Sequence, residues 1–289
     1  MSTRIVFALI ALAMGPASAA AEPLTFTRVR PNVLVVRDSS YASNMTVVRT
    51  SGGLVVVDGF MYRNSTREAL DRVADSLGER RIALAINTHG HDDHTWGNQI
   101  LRERGAPILA HDSTTAYVRA RIGQMEEFRR RAPVAVKAAE DSLAAGDSLS
   151  EATHSRLRNR IVRIGGNFNA HQDLVVTPPT VSFSRDTTIT VGRTRFLLRV
   201  IGSAHSKGDV AVLVPSERII AVGDLALTDE LIRADPREND LAHWIASLDR
   251  LAQDARERKI DRLIPGHGSV GTLDALARTR DHLKTLRVD

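Results

Sequence analysis

Residues 87–94 read NTHGHDDH, with three histidines and two aspartates between His89 and His94. Imidazole nitrogen and carboxylate oxygen are the donor types that hold zinc, and also iron or manganese. The spacing suits that use. His89 and His91 are two apart and in extended backbone project to the same side. Asp93 and His94 fall in the following turn and can face a second point. One short segment can therefore supply ligands to two ions. A helix start is the plainer use of the same residues, with Asp92 or Asp93 capping a helix that begins at Trp96. Capping accounts for the aspartates and leaves the three histidines unexplained.

Several elements must position this cluster. RIALAIN (81–87) reads as a buried strand that runs straight into it. Upstream, NVLVVRD, MTVVRT and GLVVVDG read as strands, with a hairpin turn at Ser51-Gly52-Gly53. Arg67 to Leu77 has a helical pattern, with Ser65 or Thr66 as its N-cap. Ala106 to Ala110 is a further short strand. This strand–helix–strand rhythm predicts an α/β arrangement.

From Thr114 to about Arg163 the strand signals vanish and Arg, Ala and Glu dominate. A helical insertion over about 114–170 is expected. Pro133 should divide one helix from the next, and Ser148-Leu149-Ser150-Glu151 is a capping box that opens a third. GGNFNAHQDLVVTPPT (165–180) reads as a long loop, with His171 in it. Strands resume at TVSFSRD, TTITVG, TRFLLRVIG, VAVLVPS and RIIAVGD. Asp240 to Lys259 is an amphipathic helix with Leu241, Trp244, Ile245, Leu248 and Leu251 on one face. RLIPGHG and a helix over about 273–286 follow. Candidate ligands recur at strand ends, at Asp58, His205, Asp224 and His267. Loops at strand ends are where rigid scaffolds carry chemistry.

Composition excludes some classes. The chain has 289 residues, 43% of them hydrophobic, enough for a sizeable core. The net charge of +5 is small for this length, and the basic residues are scattered among acids. Without a basic block and interleaved aromatics, no nucleic-acid partner is expected. Cysteine is absent, which removes disulfides, thiolate nucleophiles and thiolate ligands. MSTRIVFALIALAMGPASAA carries Arg4, an apolar run from Ile5 to Met14, a Gly15-Pro16 break and a small-residue cleavage pattern at Ala17-Ser18-Ala19. That is a secretory signal peptide over residues 1–21. The run is shorter than the roughly 20 residues that span a bilayer. The mature protein, from residue 22, is expected to be periplasmic or secreted, with no stable membrane anchor.

The chain resembles the metallo-β-lactamase superfamily. The motifs that carry the resemblance occur in order: VVVDG (55–59), THGHDDHTWGN (88–98), GSAHSKGD (202–209), AVGDLAL (221–227) and IPGHG (264–268). The resemblance implies a four-layer αββα sandwich. It implies that His89, His91 and His205 hold one metal, that Asp93, His94 and His267 hold a second, and that Asp224 bridges both. Asp58 would orient a ligand imidazole. The cofactors implied are two Zn2+ ions, with iron or manganese as substitutes. A hydroxide shared by the metals would attack the carbonyl of an ester, thioester, lactone or amide, with Asp93 orienting it or moving its proton. The net positive site would favour an anionic small-molecule substrate.

This chain departs from named branches of the superfamily. The β-lactamases have cysteine or serine where Asp224 stands. The lysine or tyrosine that some branches place three residues later is Leu227 here. The all-His/Asp ligand set is similar to that of glyoxalase II. Hydrolysis of β-lactams is one alternative. A mononuclear iron persulfide dioxygenase, using His89, His205 and Asp224, is another. Trp96, two residues past His94, is a candidate pocket wall, as are Tyr62, Met61 and Phe168. Arg129-Arg130-Arg131 reads as a solvated helix end, or else as a contact for an anionic group over the site.

Overall fold

The computed structural model describes residues 24–40, 42–145, 149–235 and 239–286. The signal segment and Ser148 lie outside the described residues. Strands β1 (Leu24–Arg30), β2 (Val33–Asp38), β3 (Ser43–Thr50), β4 (Gly53–Val57), β5 (Ile82–Ile86), β6 (Ile108–His111) and β7 (Val181–Phe183) form one sheet in that order. The second sheet has the order β12-β11-β10-β9-β8. Its strands are β8 (Thr187–Val191), β9 (Thr194–Gly202), β10 (Asp209–Val214), β11 (Ile219–Gly223) and β12 (Arg262–Pro265).

Strand alternation builds the layers. Val33, Val35, Val55 and Val57 meet Phe196, Leu198, Val210 and Val212 in a core between the sheets. The residues between them, Leu34, Val36, Leu54 and Val56, point the other way. That outer face is covered by Leu70 and Val73 of α1 (Arg63–Leu77) and by Ile100 and Leu101 of α3 (Asn98–Glu103). The outer face of the second sheet is covered by α6 (Leu241–Glu257), through Trp244, Leu248 and Leu251, and by α7 (Asp274–Leu283), through Leu276 and Leu283. The result is the expected α/β, four-layer αββα sandwich. Strands sandwiched in this way are apolar on both faces, which is why they read as continuous Val, Ile and Leu runs.

Four local expectations are corrected. Helix α1 starts at Arg63, and Thr66 sits inside its first turn, donating to the Tyr62 carbonyl at 3.1 Å. Helix α4 (Asp112–Ala144) runs through Pro133 without a break. Pro133 is on the exposed face, where water can take the carbonyl that proline leaves free. Helix α5 (Glu151–His171) is capped by Ser150, whose hydroxyl accepts the N–H of Thr153. It extends through Gly165, Gly166 and on to His171, so the first part of the expected long loop is helix and only the stretch from Gln172 to Thr180 is irregular. Finally, α2 (Asp92–Thr95) precedes Trp96, which closes this turn of helix instead of starting one. Its N-cap is His91, with no side-chain cap, so neither Asp92 nor Asp93 serves as one.

Among the described residues, no helix is long and apolar enough to cross a membrane. The parallel pairs β4–β5 and β11–β12 deliver their C-terminal ends to one edge of the sandwich. Across that edge the sheets are tied together. Asn44 N–H donates to Gly266 O at 2.7 Å, and Val210 N–H to Thr88 O at 2.8 Å.

Candidate metal centre

Each candidate ligand follows the end of an element at this edge. Asp58 follows β4, Thr88 and His89 follow β5, and α2 carries Asp93 and His94. His205 lies in the turn between β9 and β10, Asp224 follows β11, and His267 follows β12. The fold thus brings together seven side chains separated by up to 178 positions.

Their donor atoms fall into two groups. In the first, His205 Nε2 lies 3.1 Å from His91 Nδ1 and 3.3 Å from Asp224 Oδ2, and His89 Nε2 lies 3.6 Å from Asp224 Oδ2. In the second, His267 Nε2 lies 3.3 Å from His94 Nε2 and 3.1 Å from Asp93 Oδ2. Asp224 stands between them, with Oδ1 3.5 Å from His94 Nε2 and Oδ2 3.5 Å from His267 Nε2. Ligand atoms held about 2.0–2.2 Å from one tetrahedral ion lie roughly 3.3–3.6 Å apart. The observed spacings match that edge length. His89 Nε2 and Asp224 Oδ1 are buried without a hydrogen-bond partner. Buried polar atoms are rarely left so, and here both face the other donors. These residues fit a pair of first-row dications.

Hydrogen bonds set the imidazoles. Asp58 accepts the Thr88 N–H at 2.8 Å on Oδ1 and the Thr88 hydroxyl at 2.7 Å on Oδ2. Its Oδ2 also lies 3.3 Å from His94 Nδ1. Thr88 Oγ1, having donated its proton to Asp58, is left to accept from His89 Nδ1 at 3.1 Å. Both rings are thereby held with Nδ1 protonated and Nε2 turned into the cluster, the arrangement that ligating histidines need. Asp58 orients one ring directly and the other through Thr88. Its own backbone has φ +61°, an unusual conformation that aspartate tolerates better than most residues.

The field of the site asks for positive charge. Burial would raise the Asp224 carboxyl, but the His94 and His89 rings beside it hold it well below the usual carboxylate range. Burial opposes a charge on His94 and on His267. Asp224 and Asp93 nonetheless raise His94 to about 9, and hydrogen bonds with the same two carboxylates raise His267 to about 10. Burial, followed by repulsion from neighbouring imidazoles, lowers His89 and His91. Burial lowers His205 as well, but its hydrogen bond with Asp224 outweighs that and raises it, so the two carboxylates draw cations while His89 and His91 offer neutral nitrogen.

Gly266 makes this closeness possible. A Cβ there would fall on Asp224 Oδ1 and lie 2.9 Å from the Gly223 carbonyl carbon and 3.0 Å from His94 Cε1. Two positioning residues are not among the sequence candidates. Asn239 donates to the Ala204 carbonyl at 2.8 Å and fixes the turn that carries His205. Asp209 accepts the Ser206 N–H at 2.8 Å and its hydroxyl at 2.6 Å, closing the same turn. GSAHSKGD contains Asp209, and the four-residue spacing from His205 is the signal that marks it.

The candidate pocket walls separate. Trp96 and Met61 line a cavity beside α2, whereas Tyr62 stacks on His171 with ring centroids 5.3 Å apart. Phe168 is not among the lining residues. Arg129 lies inside α4 and donates to the carbonyls of His171 and Leu174. Arg130 and Arg131 pair with Glu127 on the surface. None of the three arginines is a helix end or reaches the metal centre.

Comparison with known proteins agrees with this geometry. The family model "Metallo-beta-lactamase superfamily" matches residues 40–267. A metallo-beta-lactamase type 2 of Bacillus sp. (strain 170) is 24% identical over 271 residues, spanning 90% of this chain and 82% of its own. That of Bacillus cereus is also 24% identical, spanning 90% and 83%. The solved structure of a metallo-beta-lactamase from Pontibacter korlensis superposes with a TM-score of 0.64 at 21% identity, covering 91% of this chain and 100% of the other. With a His/Asp metal-binding cluster at the edge of an αββα sandwich, the chain belongs to the metallo-β-lactamase superfamily of metal-dependent hydrolases.

Proposed function

We propose that this chain is an exported dinuclear zinc hydrolase that cleaves an ester, thioester, lactone or amide bond of a small molecule. One observation carries the reading. Seven donors form two groups with the edge lengths of tetrahedral sites, and Asp224 of the first also lies 3.5 Å from His94 and His267 of the second. A donor set of imidazole and carboxylate alone suits zinc. His89, His91 and His205 would hold one ion, Asp93, His94 and His267 the other, and Asp224 would join them. Two such dications supply Lewis acidity toward a carbonyl oxygen and a nucleophile drawn from water at neutral pH.

The remaining work falls to side chains. Asp93 is more open than Asp224, with 16% of its side chain exposed against 8%. Burial works against ionisation of Asp93, but His94 and His267 keep it below its ordinary range. Its carboxylate can accept a proton from attacking water and return it to the leaving atom. Asp58 and Thr88 keep the rings of His94 and His89 in place through the reaction. Dications outnumber the carboxylates in charge, which favours an anionic substrate.

β-Lactams belong among the test substrates because the relatives named above are metallo-beta-lactamases. The resemblance that puts cysteine or serine at Asp224 in those enzymes weighs toward other carbonyl substrates. Leu227, packed in the core under α6, offers no polar contact either. The complete second group weighs against a mononuclear iron oxygenase. Metal analysis of the mature protein, with a panel of esters, thioesters, lactones and β-lactams, tests the reading. Two zinc ions per chain and turnover of at least one class are expected. One iron per chain with oxygen uptake on a persulfide overturns it. Export is tested by N-terminal sequencing of periplasmic protein, with a start near Glu22 expected.

A further inference from the structure

The metal centre leaves unexplained a cavity of about 320 Å³ beside it. Met61, Asp92 and Trp96 form one wall, and Arg121, Met125 and Phe128 of α4 form the other. The helices of the insertion, α4 and α5, therefore supply most of the lining.

A stripe on α4 links this cavity to the ligands. Tyr117, Arg121, Met125 and Phe128 recur at helical spacing along one face. The Tyr117 ring lies 6.1 Å from that of His91. Arg121 grips Asp92, which sits between the ligands His91 and Asp93, with Nε 2.9 Å from Oδ1 and a second bond from Nη2 to Oδ2. Met125 and Phe128 continue away from the metals. At 1.5 Å per residue, the stripe extends roughly 16 Å.

The lining has no charge to spare. Asp92 and Arg121 neutralise one another. His171 closes the cavity from α5, and burial, with Arg63 nearby, lowers it to about 4, so it is neutral at neutral pH. Gln124 and Asn167 offer neutral amides. The rest is thioether and aromatic surface, which adapts to varied apolar shapes. A cavity of about 150 Å³ holds one benzene, so this one has room for about two ring-sized groups.

We propose that this cavity binds an uncharged apolar substituent of the substrate, aromatic or of medium chain length, extending along α4 while the scissile carbonyl lies at the metals. This deepens the hydrolase reading and rests on it. Any negative charge on the substrate then belongs on the other side of the carbonyl.

Two measurements test the proposal separately from the hydrolase reading. The first needs no turnover. N-phenyl-1-naphthylamine, a neutral fluorophore, is titrated into the metal-free and zinc-loaded protein. One-to-one binding is expected, weakened at least tenfold by Gln124→Trp, which fills the cavity from an exposed position. Binding unaffected by Gln124→Trp, or no binding, overturns the proposal. The second uses zinc-loaded enzyme and two ester series, one lengthened on the acyl side and one on the alcohol side. In one series kcat/KM should rise about threefold to fourfold per methylene until the cavity is full. Gln124→Trp and Phe128→Ala should flatten that rise, read as the ratio of long to short substrate. Hydrolysis independent of length in both series overturns the proposal and leaves the hydrolase reading standing. Probe binding without hydrolysis of any substrate class supports the cavity and sinks the hydrolase reading.

Discussion

Asp58 Oδ2 lies 3.3 Å from His94 Nδ1, on the side of the ring away from the cluster. Because the same oxygen also takes the Thr88 hydroxyl, one carboxylate governs the tautomer of a ring in each ligand group. Asp58→Asn keeps the shape and removes the charge. Metal affinity should fall about 10- to 100-fold, the usual cost of losing such a partner. Competition with a chelator measures it. Unchanged affinity for both ions would reduce Asp58 to a packing residue.

Gly266→Ala tests how tightly the second group is closed. The added methyl would overlap Asp224 Oδ1 and crowd His94 Cε1. Both are buried and cannot move aside without leaving the cluster. Overpacking of this kind costs about 1–3 kcal/mol. The variant should melt at a lower temperature than the parent in chelator and should bind fewer than two zinc ions per chain. A variant with the parent's melting temperature and metal content would show that the backbone there yields freely.

Arg121→Gln separates the insertion from the metal motif. Asp92 would lose both of its bonds to Arg121 while remaining half-buried. Burial already raises its carboxyl despite Arg121. Leaving that charge alone should cost about 1–2 kcal/mol, less than for a fully buried pair because both side chains retain some solvent. The double variant Asp92→Asn/Arg121→Gln should recover much of the loss. Denaturant unfolding of the parent, Asp92→Asn, Arg121→Gln and the double variant gives the coupling. Additive losses would mean that the pair does not act as a unit.

These contacts also show where the sequence is legible. His89, His91, Asp93 and His94 are close in the chain, and each distant ligand follows a strand that is unmistakably apolar. Helix α6 is legible for the same reason, its stripe ending on the Asp240 cap. The insertion is harder to read. Pro133 and the Gly165-Gly166 pair are breakers by propensity, yet Gly165 faces Val136 across the α4–α5 hairpin and both helices continue. Packing between two helices overrides what either would do alone. The cavity is hidden for a related reason. Trp96 and Met125 are far apart in sequence, and only the packing of α4 beside α2 brings them together on the cavity.

His171 offers a pH test of that hairpin. It is 5% exposed, stacked on Tyr62, with its ring 4.5 Å from that of Trp96. Burial, followed by the charge of Arg63, takes it from 6.5 down to about 4. Below about pH 6.5 the unfolded chain takes up a proton at this site and the folded chain does not. The slope of stability with pH is therefore positive over that window. Stability is lost as pH falls from about 6.5 to about 4, and below that the folded state binds the proton as well. His171→Gln cannot be protonated. It should be less stable than the parent at pH 7, where the ring contacts are lost, and the gap should narrow steadily toward pH 4. Melting temperatures of both proteins, with the same metal content at each pH, give the comparison. A gap that stays constant from pH 7 to pH 4 would mean that His171 takes up its proton equally in both states.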